Sequence, residues 1–575
     1  MKMVGAYDSR RSKTKTRGAA GGLGPDTVHD EQFVWPETQR RTFMKALLIG
    51  AGSFCIPLRN AHAQAGHKVL RIAMTLSDIP YICGQATGGA EGIRFIGFSL
   101  YDALVRWDFE QNERPTKIIP NLAESWSVDP ETKQIWTFKI RHGVKFHDGS
   151  AFDAHSVVWN FDKMMKPDTP HYDKRQAAQA GNYLATIAKV EAVDDFTVKI
   201  HTKVLDGTLV YSMSNICYSS PAQWEAVGRD WDKFALKPSG TGPWKFDRQT
   251  PRERVEFVRN ASYWDPKRVP KCDRMVLRPI ADSTTRVAAL LSNQVDWIEA
   301  PPSDAIPQIK AAGMQVITGV YPHIWPYMLS HQPDSPFRDV RLRKAANLAI
   351  DRDAVVKLVN GTALPAKGIV VPGHPWFGKP TFDIKYDPDA ARKLMADAGF
   401  GPTNKAKIKF LMSTAGSGQM QPLSMNELIQ EQLQEVGFEV KLETIDWEAL
   451  RSRRLAGAQA PENRGVSGLN YSWTIQEPIF ALIGQTWHGA QRVAGYNWGG
   501  YADPHADELA LKPLAEFDTT AQNKLLAELH AYLVDQAMWI FVVHDLNPRG
   551  LSQKVSGFKS AQNWYQDFSP VDIKS

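Results

Sequence analysis

Ile135-Trp136-Thr137-Phe138-Lys139-Ile140-Arg141-His142-Gly143-Val144-Lys145-Phe146-His147-Asp148-Gly149 decides the fold class. Trp136, Phe138 and Ile140 share one side and Thr137 and Lys139 the other, the period of a half-buried strand. Asp148-Gly149 is a turn. Asp153 then caps a different pattern, in which Val157, Phe161 and Met164 recur at helical spacing. The same alternation continues in both directions. Lys68–Met74 alternates as a strand, Tyr101–Val105 is a short apolar element, and Thr197–Ile200 reads as another strand. Further on, Asp339 caps a helix with Leu342, Ala345, Ala346 and Ala349 on one narrow face. Asp387-Pro388 opens a helix that Gly399 ends, and Met425–Val436 is a third, stopped by Gly437 before the strand-like Phe438–Leu442. Strands and helices that alternate in this way make an α/β fold.

At 575 residues the chain is too long for one compact core, so two or more lobes are expected. The net charge of +6 belongs to the front end. Of 68 basic and 62 acidic residues, ten and five lie in residues 1–63, which leaves the remainder within one charge of neutrality. That balance gives no concentrated cationic surface, and nucleic acid is excluded as a partner. Gln39-Arg40-Arg41-Thr42-Phe43-Met44-Lys45, the apolar run Ala46–Ile56 and Ala61-His62-Ala63 have the order of an export signal with paired arginines, cleaved near Ala63. The apolar run is too short to span roughly 30 Å of bilayer. Cys83, Cys217 and Cys272 remain in the mature chain, and in an oxidising compartment one disulfide plus one free thiol is the expected count.

Four motif groups carry a resemblance. They are Asn121-Leu122-Ala123-Glu124-Ser125-Trp126 running on to Gly149; Gly240-Thr241-Gly242-Pro243-Trp244 with Arg259-Asn260-Ala261-Ser262-Tyr263-Trp264; Pro336–Ala345 with Ala349-Ile350-Asp351-Arg352; and Tyr386-Asp387-Pro388 through Phe400. In this order they resemble the family-5 extracellular solute-binding proteins of peptide, nickel and opine importers. The resemblance implies a two-lobed periplasmic binding protein of the cluster C type, with an extra subdomain in the first lobe. The first lobe is then expected from 66–107, 222–322 and 537–575, the extra subdomain from 108–221, and the second lobe from 323–536. It implies a monomer that closes on a small, peptide-like ligand by hinge bending and delivers it to a permease and ATPase complex, with no cofactor and no catalysis. The motifs themselves read as scaffold, including Arg338–Arg343 as a solvated helix face.

Aromatic residues mark the expected cleft, because stiff rings with a polar edge suit a binding surface. Trp473, Tyr496 and Trp498 are expected to reach the ligand from the second lobe, opposed by Tyr81, Trp325 and Tyr327, with Asn497 orienting it. Peptide binders of the family carry an Asp for the peptide ammonium after the second-lobe Trp. Here Trp473-Thr474-Ile475-Gln476-Glu477-Pro478 is shorter and holds one acid, Glu477, as the only counter-charge for an amine. A sugar, an opine-like conjugate or a chelated metal are the alternative ligands. His488, His505 and His544 lack metal-ligand spacing, so a metal bound directly by protein is not expected. A secreted hydrolase is the alternative from another class, but the chain has no GxSxG elbow and no HExxH helix. Gly373–Lys379 has phosphate-loop spacing, yet Pro380 stands where the Ser/Thr must be, and the stretch reads as a turn-rich loop.

Overall fold

The computed structural model describes residues 67–414, 416, 418–489 and 493–574, and Gly66–Ser575 form one compact unit. The export signal and its cleavage site lie outside the described residues. Among the described residues no helix is long and apolar enough to cross a membrane.

Val69–Met74 lies inside a seven-stranded sheet, between the parallel strands Arg274–Pro279 and Trp297–Glu299. Leu70, Ile72 and Met74 enter one core and Ala73 the other, as a strand covered on both faces requires. A second seven-stranded sheet is built on His323–Leu329, which pairs with Trp539–Asp545 on one side and with Gly468–Asn470 and Trp473–Thr474 on the other. The chain crosses from the first sheet to the second between Ile317 and His323, and returns between Asp545 and Arg549. The stretch between these crossings is the second half of the molecule, and the rest is the first half.

A separate four-stranded antiparallel sheet holds Ala123–Val128, Ile135–Ile140, Thr197–Thr202 and Ile187–Asp194 in that order. Trp136, Phe138 and Ile140 pack against Val157, Phe161 and Met164 of the helix Ala154–Met165, the pairing that the two periodicities predict. Asp153 accepts from the Ser156 amide at 2.7 Å, and Asp339 and Asp387 cap their helices in the same way.

One buried carboxylate joins motifs that lie far apart in the chain. Asp102 accepts from Tyr263 Oη at 2.9 Å, Trp264 Nε1 at 3.0 Å, Thr241 Oγ1 at 3.1 Å and Asn121 Nδ2 at 3.3 Å. Residues from the first two motif groups therefore meet on a single side chain. Gly240 and Gly242 belong to the same knot, since a Cβ on either would lie 2.2 Å from the Leu100 carbonyl oxygen or 2.5 Å from its carbon.

Three expectations are corrected. Trp539–Asp545 is an interior strand of the second sheet, so the return to the first half comes at Arg549–Leu551 and not at 537. Arg343 is buried, not solvated. It donates to the carbonyls of Phe337, Arg338 and Gln536, which joins its helix to the end of the helix Thr519–Asp535. No disulfide forms among the described cysteines. Cys83, Cys217 and Cys272 are all free and buried, and burial pushes the Cys217 and Cys272 thiols up to about 12 and about 11.

Candidate functional site

A cavity of about 580 Å³ lies between the two halves. Trp107, Trp126, Trp136 and Tyr211 face it from the first half, Trp376 and Phe517 from the second, and Tyr321 from the first crossing. Seven aromatic side chains give it large, stiff walls, and Gln476, Gln522, Asn523 and Gln562 supply amides. Lys117, exposed, is the one Lys, Arg, Asp or Glu among the described lining residues. His374 is neutral, since burial lowers its pKa to about 3.

The halves touch beside this cavity. Gly207 donates its amide to the Leu514 carbonyl at 2.7 Å and accepts from Gln522 Nε2 at 3.0 Å. A Cβ at 207 would lie 2.2 Å from the Glu516 carbonyl oxygen, so only glycine permits this approach. Gln476 Oε1 accepts from the Trp564 amide at 2.8 Å. Next to it Glu477 accepts from Asn215 Nδ2 at 3.0 Å, and Asn215 Oδ1 in turn accepts from Tyr565 Oη at 2.8 Å. Burial pushes the Glu477 carboxyl up to about 8, and the Asn215 hydrogen bond offsets only part of that. Glu477 is therefore a protonated acid at neutral pH, engaged across the two halves.

The eight residues expected from sequence are distributed differently. Trp473, Tyr496 and Trp498 do come together, in one core of the second half, where Tyr496 packs on Trp487 and Phe480. Trp325 and Tyr327 do not oppose them, which corrects that expectation. Both lie on the strand His323–Leu329 of the same half, fully buried, bonded to the Gln419 carbonyl and to Asn426 Oδ1. A strand covered on both faces turns each of its aromatic rings into core. Asn497 accepts from the Tyr501 amide and donates to the Trp487 and Tyr501 carbonyls, which makes it a loop staple. Tyr81 donates to Asp232 at 2.8 Å beneath the Arg175 guanidinium. None of the eight is among the described cavity-lining residues, whereas the neighbours Ile475 and Gln476 are.

Sequence reasoning missed Trp107, Trp376 and Phe517, and took Trp126 and Trp136 for scaffold. The Gly373–Lys379 loop, dismissed as a phosphate site, brings His374, Pro375 and Trp376 to the wall. The abundance of tryptophan, 18 in the chain, signalled an aromatic site but not which of them line it.

Two α/β halves joined by two short crossings, with an aromatic cavity between them, are the construction of a two-lobed solute-binding protein. The model of the bacterial extracellular solute-binding proteins, family 5 (middle), matches residues 117–483, and the chain belongs to that family. It is similar to the glutathione-binding protein GsiB of Pectobacterium atrosepticum, 26% identical over 92% of this chain and 99% of that one. It is similar also to di/tripeptide-binding protein 2 of Pseudomonas aeruginosa, 26% identical over 79% and 86%. In fold it resembles HbpA2 of Haemophilus parasuis, with a TM-score of 0.74 at 22% identity over 88% and 100% of the two chains.

Proposed function

We propose that the protein is the periplasmic substrate-binding component of an ATP-driven importer, a monomer that takes up a peptide-like ligand and releases it unchanged to a permease. The cavity between the halves carries this reading. Its volume falls within the roughly 300–1,000 Å³ of small-molecule sites, and both halves supply its walls, so hinge closure encloses the ligand. Relatives named for glutathione and for di- and tripeptides support a peptide-like cargo. Residues 108–221 act as a subdomain of the first lobe in this reading, and Trp473, Glu477, Tyr496 and Trp498 support the cavity from behind Ile475 and Gln476.

Native mass spectrometry of protein purified from its own periplasm identifies the retained cargo, and calorimetry then measures its affinity. Trp376, anchored by its Nε1–H to Asn523 at 2.7 Å, presents a fixed ring to the cavity. Trp376→Ala is expected to cost about 2 kcal/mol or more, roughly thirtyfold in affinity. Unchanged affinity would place the cargo elsewhere.

Export is proposed to follow the folded-protein route that reads Arg40-Arg41. Replacing both with Lys is expected to leave precursor in the cytoplasm, while the mature wild-type chain begins near Gln64. A normal periplasmic yield from the double variant would refute the paired-arginine signal.

A further inference from the structure

Trp126 and Trp136 stand on one face of the four-stranded sheet. Trp126 pairs across with Phe138 and Val128 with Trp136, so the two indoles are diagonal neighbours. Phe517, from the second half, meets the Trp136 ring with centroids 5.7 Å apart and a tilt of 52°. Tyr211 meets Trp107 in the same way, at 5.7 Å and 45°. Both pairs lie in the distance range where ring quadrupoles attract, and both avoid the face-to-face arrangement that rings disfavour. All these rings except Phe138 line the cavity. Trp107 and Trp136 are buried, whereas Trp126, Tyr211 and Phe517 are half-buried and keep ring surface open.

A flat ring that enters this cavity extends an aromatic cluster already formed by the protein. Its edge or face meets Tyr211 and Phe517, the open members of the two tilted pairs, as those meet their own partners. A saturated side chain of the same size buries as much apolar area but has no quadrupole, so it gains the burial alone. Rings come from both halves, and closure therefore brings them onto the ligand from two sides. Aromatic walls also receive organic cations. Here the protein supplies cations of its own: Lys133 Nζ sits 5.9 Å from the Phe517 ring centroid, and Lys117 lines the cavity. A positive cargo group would meet like charge from both.

Resting on the reading of the cavity as the cargo site, we infer that Trp126, Tyr211 and Phe517 select peptides that carry an aromatic side chain. The ring is the part of the cargo that the cavity recognises, and it takes its place beside Phe517 when the halves close.

The test compares two tripeptides by calorimetry on the mature protein: alanyl-phenylalanyl-alanine and its cyclohexylalanine counterpart, which matches it in size and lacks the π system. The phenylalanine peptide is expected to bind about tenfold more tightly. In Trp126→Leu and in Phe517→Leu that ratio is expected to shrink to about threefold or less, because an open ring is lost and apolar surface is kept. The ratio is the readout, since a general loss of folding or closure weakens both peptides alike. Equal affinities in the wild type would overturn the selection and keep the cavity as a peptide site. A ratio unchanged in both variants would overturn it too, and mark the rings as scaffold. Choline is measured alongside and is expected to bind more weakly than either peptide; tighter binding would make the rings a cation cage instead. If neither peptide binds, the peptide reading of the cavity falls together with this inference.

Discussion

Glu299→Gln is expected to destabilise the protein by about 3–5 kcal/mol, because it leaves buried guanidinium groups facing a neutral amide. Glu299 ends the strand Trp297–Glu299 and is itself buried. Arg94 donates to both of its carboxylate oxygens, Arg549 lies 3.1 Å away, and Asn547 Nδ2 donates at 2.8 Å. Burial alone would raise the Glu299 pKa, but Arg94 and then Arg549 outweigh it and hold the carboxyl well below its usual range. Arg94 keeps a second partner in Glu91, 2.7 Å away; Glu299 is the partner of Arg549. Urea unfolding at neutral pH measures the loss, and adding Arg549→Met to Glu299→Gln is expected to restore part of it by removing an unpaired charge. A loss under about 1 kcal/mol would mean that water reaches the cluster and the pairing contributes little. Asn547 and Arg549 belong to the return crossing, so this cluster also fixes where one of the two connections between halves begins.

The sequence made some of this legible and hid the rest for definite reasons. The strand Ile135–Ile140 and the capped helices were readable because local chemistry decides them: a period of two, or an Asp that accepts from an amide two or three residues on. The motif groups were readable as scaffold, and Asp102 shows why, but a knot among residues 102, 121, 241, 263 and 264 is invisible to any local pattern. Trp325 and Tyr327 were misread because a tryptophan on a strand buried on both faces looks the same in sequence as one facing a cleft. Trp107, Trp376 and Phe517 were missed because a strand end in the first half and two loops in the second bring them to one cavity, and no local pattern links them. Cysteine counting failed likewise: compartment chemistry permits a disulfide, but the three described thiols are each buried and free.

Cargo affinity is expected to fall as pH rises from about 4.5 to about 8, by up to about tenfold per unit, and Glu477 is the cause. In the open form the Glu477 carboxyl meets water and titrates near its ordinary 4.5, while in the closed form burial holds the proton up to about 8. Below the lower value both forms carry the proton and closure moves none. Between the two values closure takes up one proton, so each unit of pH costs the closed form up to about 1.4 kcal/mol. Above the upper value both forms are ionised and the dependence flattens. The groups facing Glu477 do not titrate in this window: Tyr183, Tyr211, Tyr496 and Tyr565 are all shifted upward by burial, and Asn215 is neutral. Glu477→Gln imitates the protonated acid, so it is expected to keep the low-pH affinity and flatten the profile. Calorimetry in buffers of different ionisation enthalpy counts the protons directly, and a slope that survives Glu477→Gln would assign the effect to another group. The count also separates the cargo classes. A cargo ammonium paired with Glu477 would keep the carboxylate ionised, and closure would then take up no proton at neutral pH. A cargo that does not pair with Glu477 leaves it on Asn215, and closure takes up one.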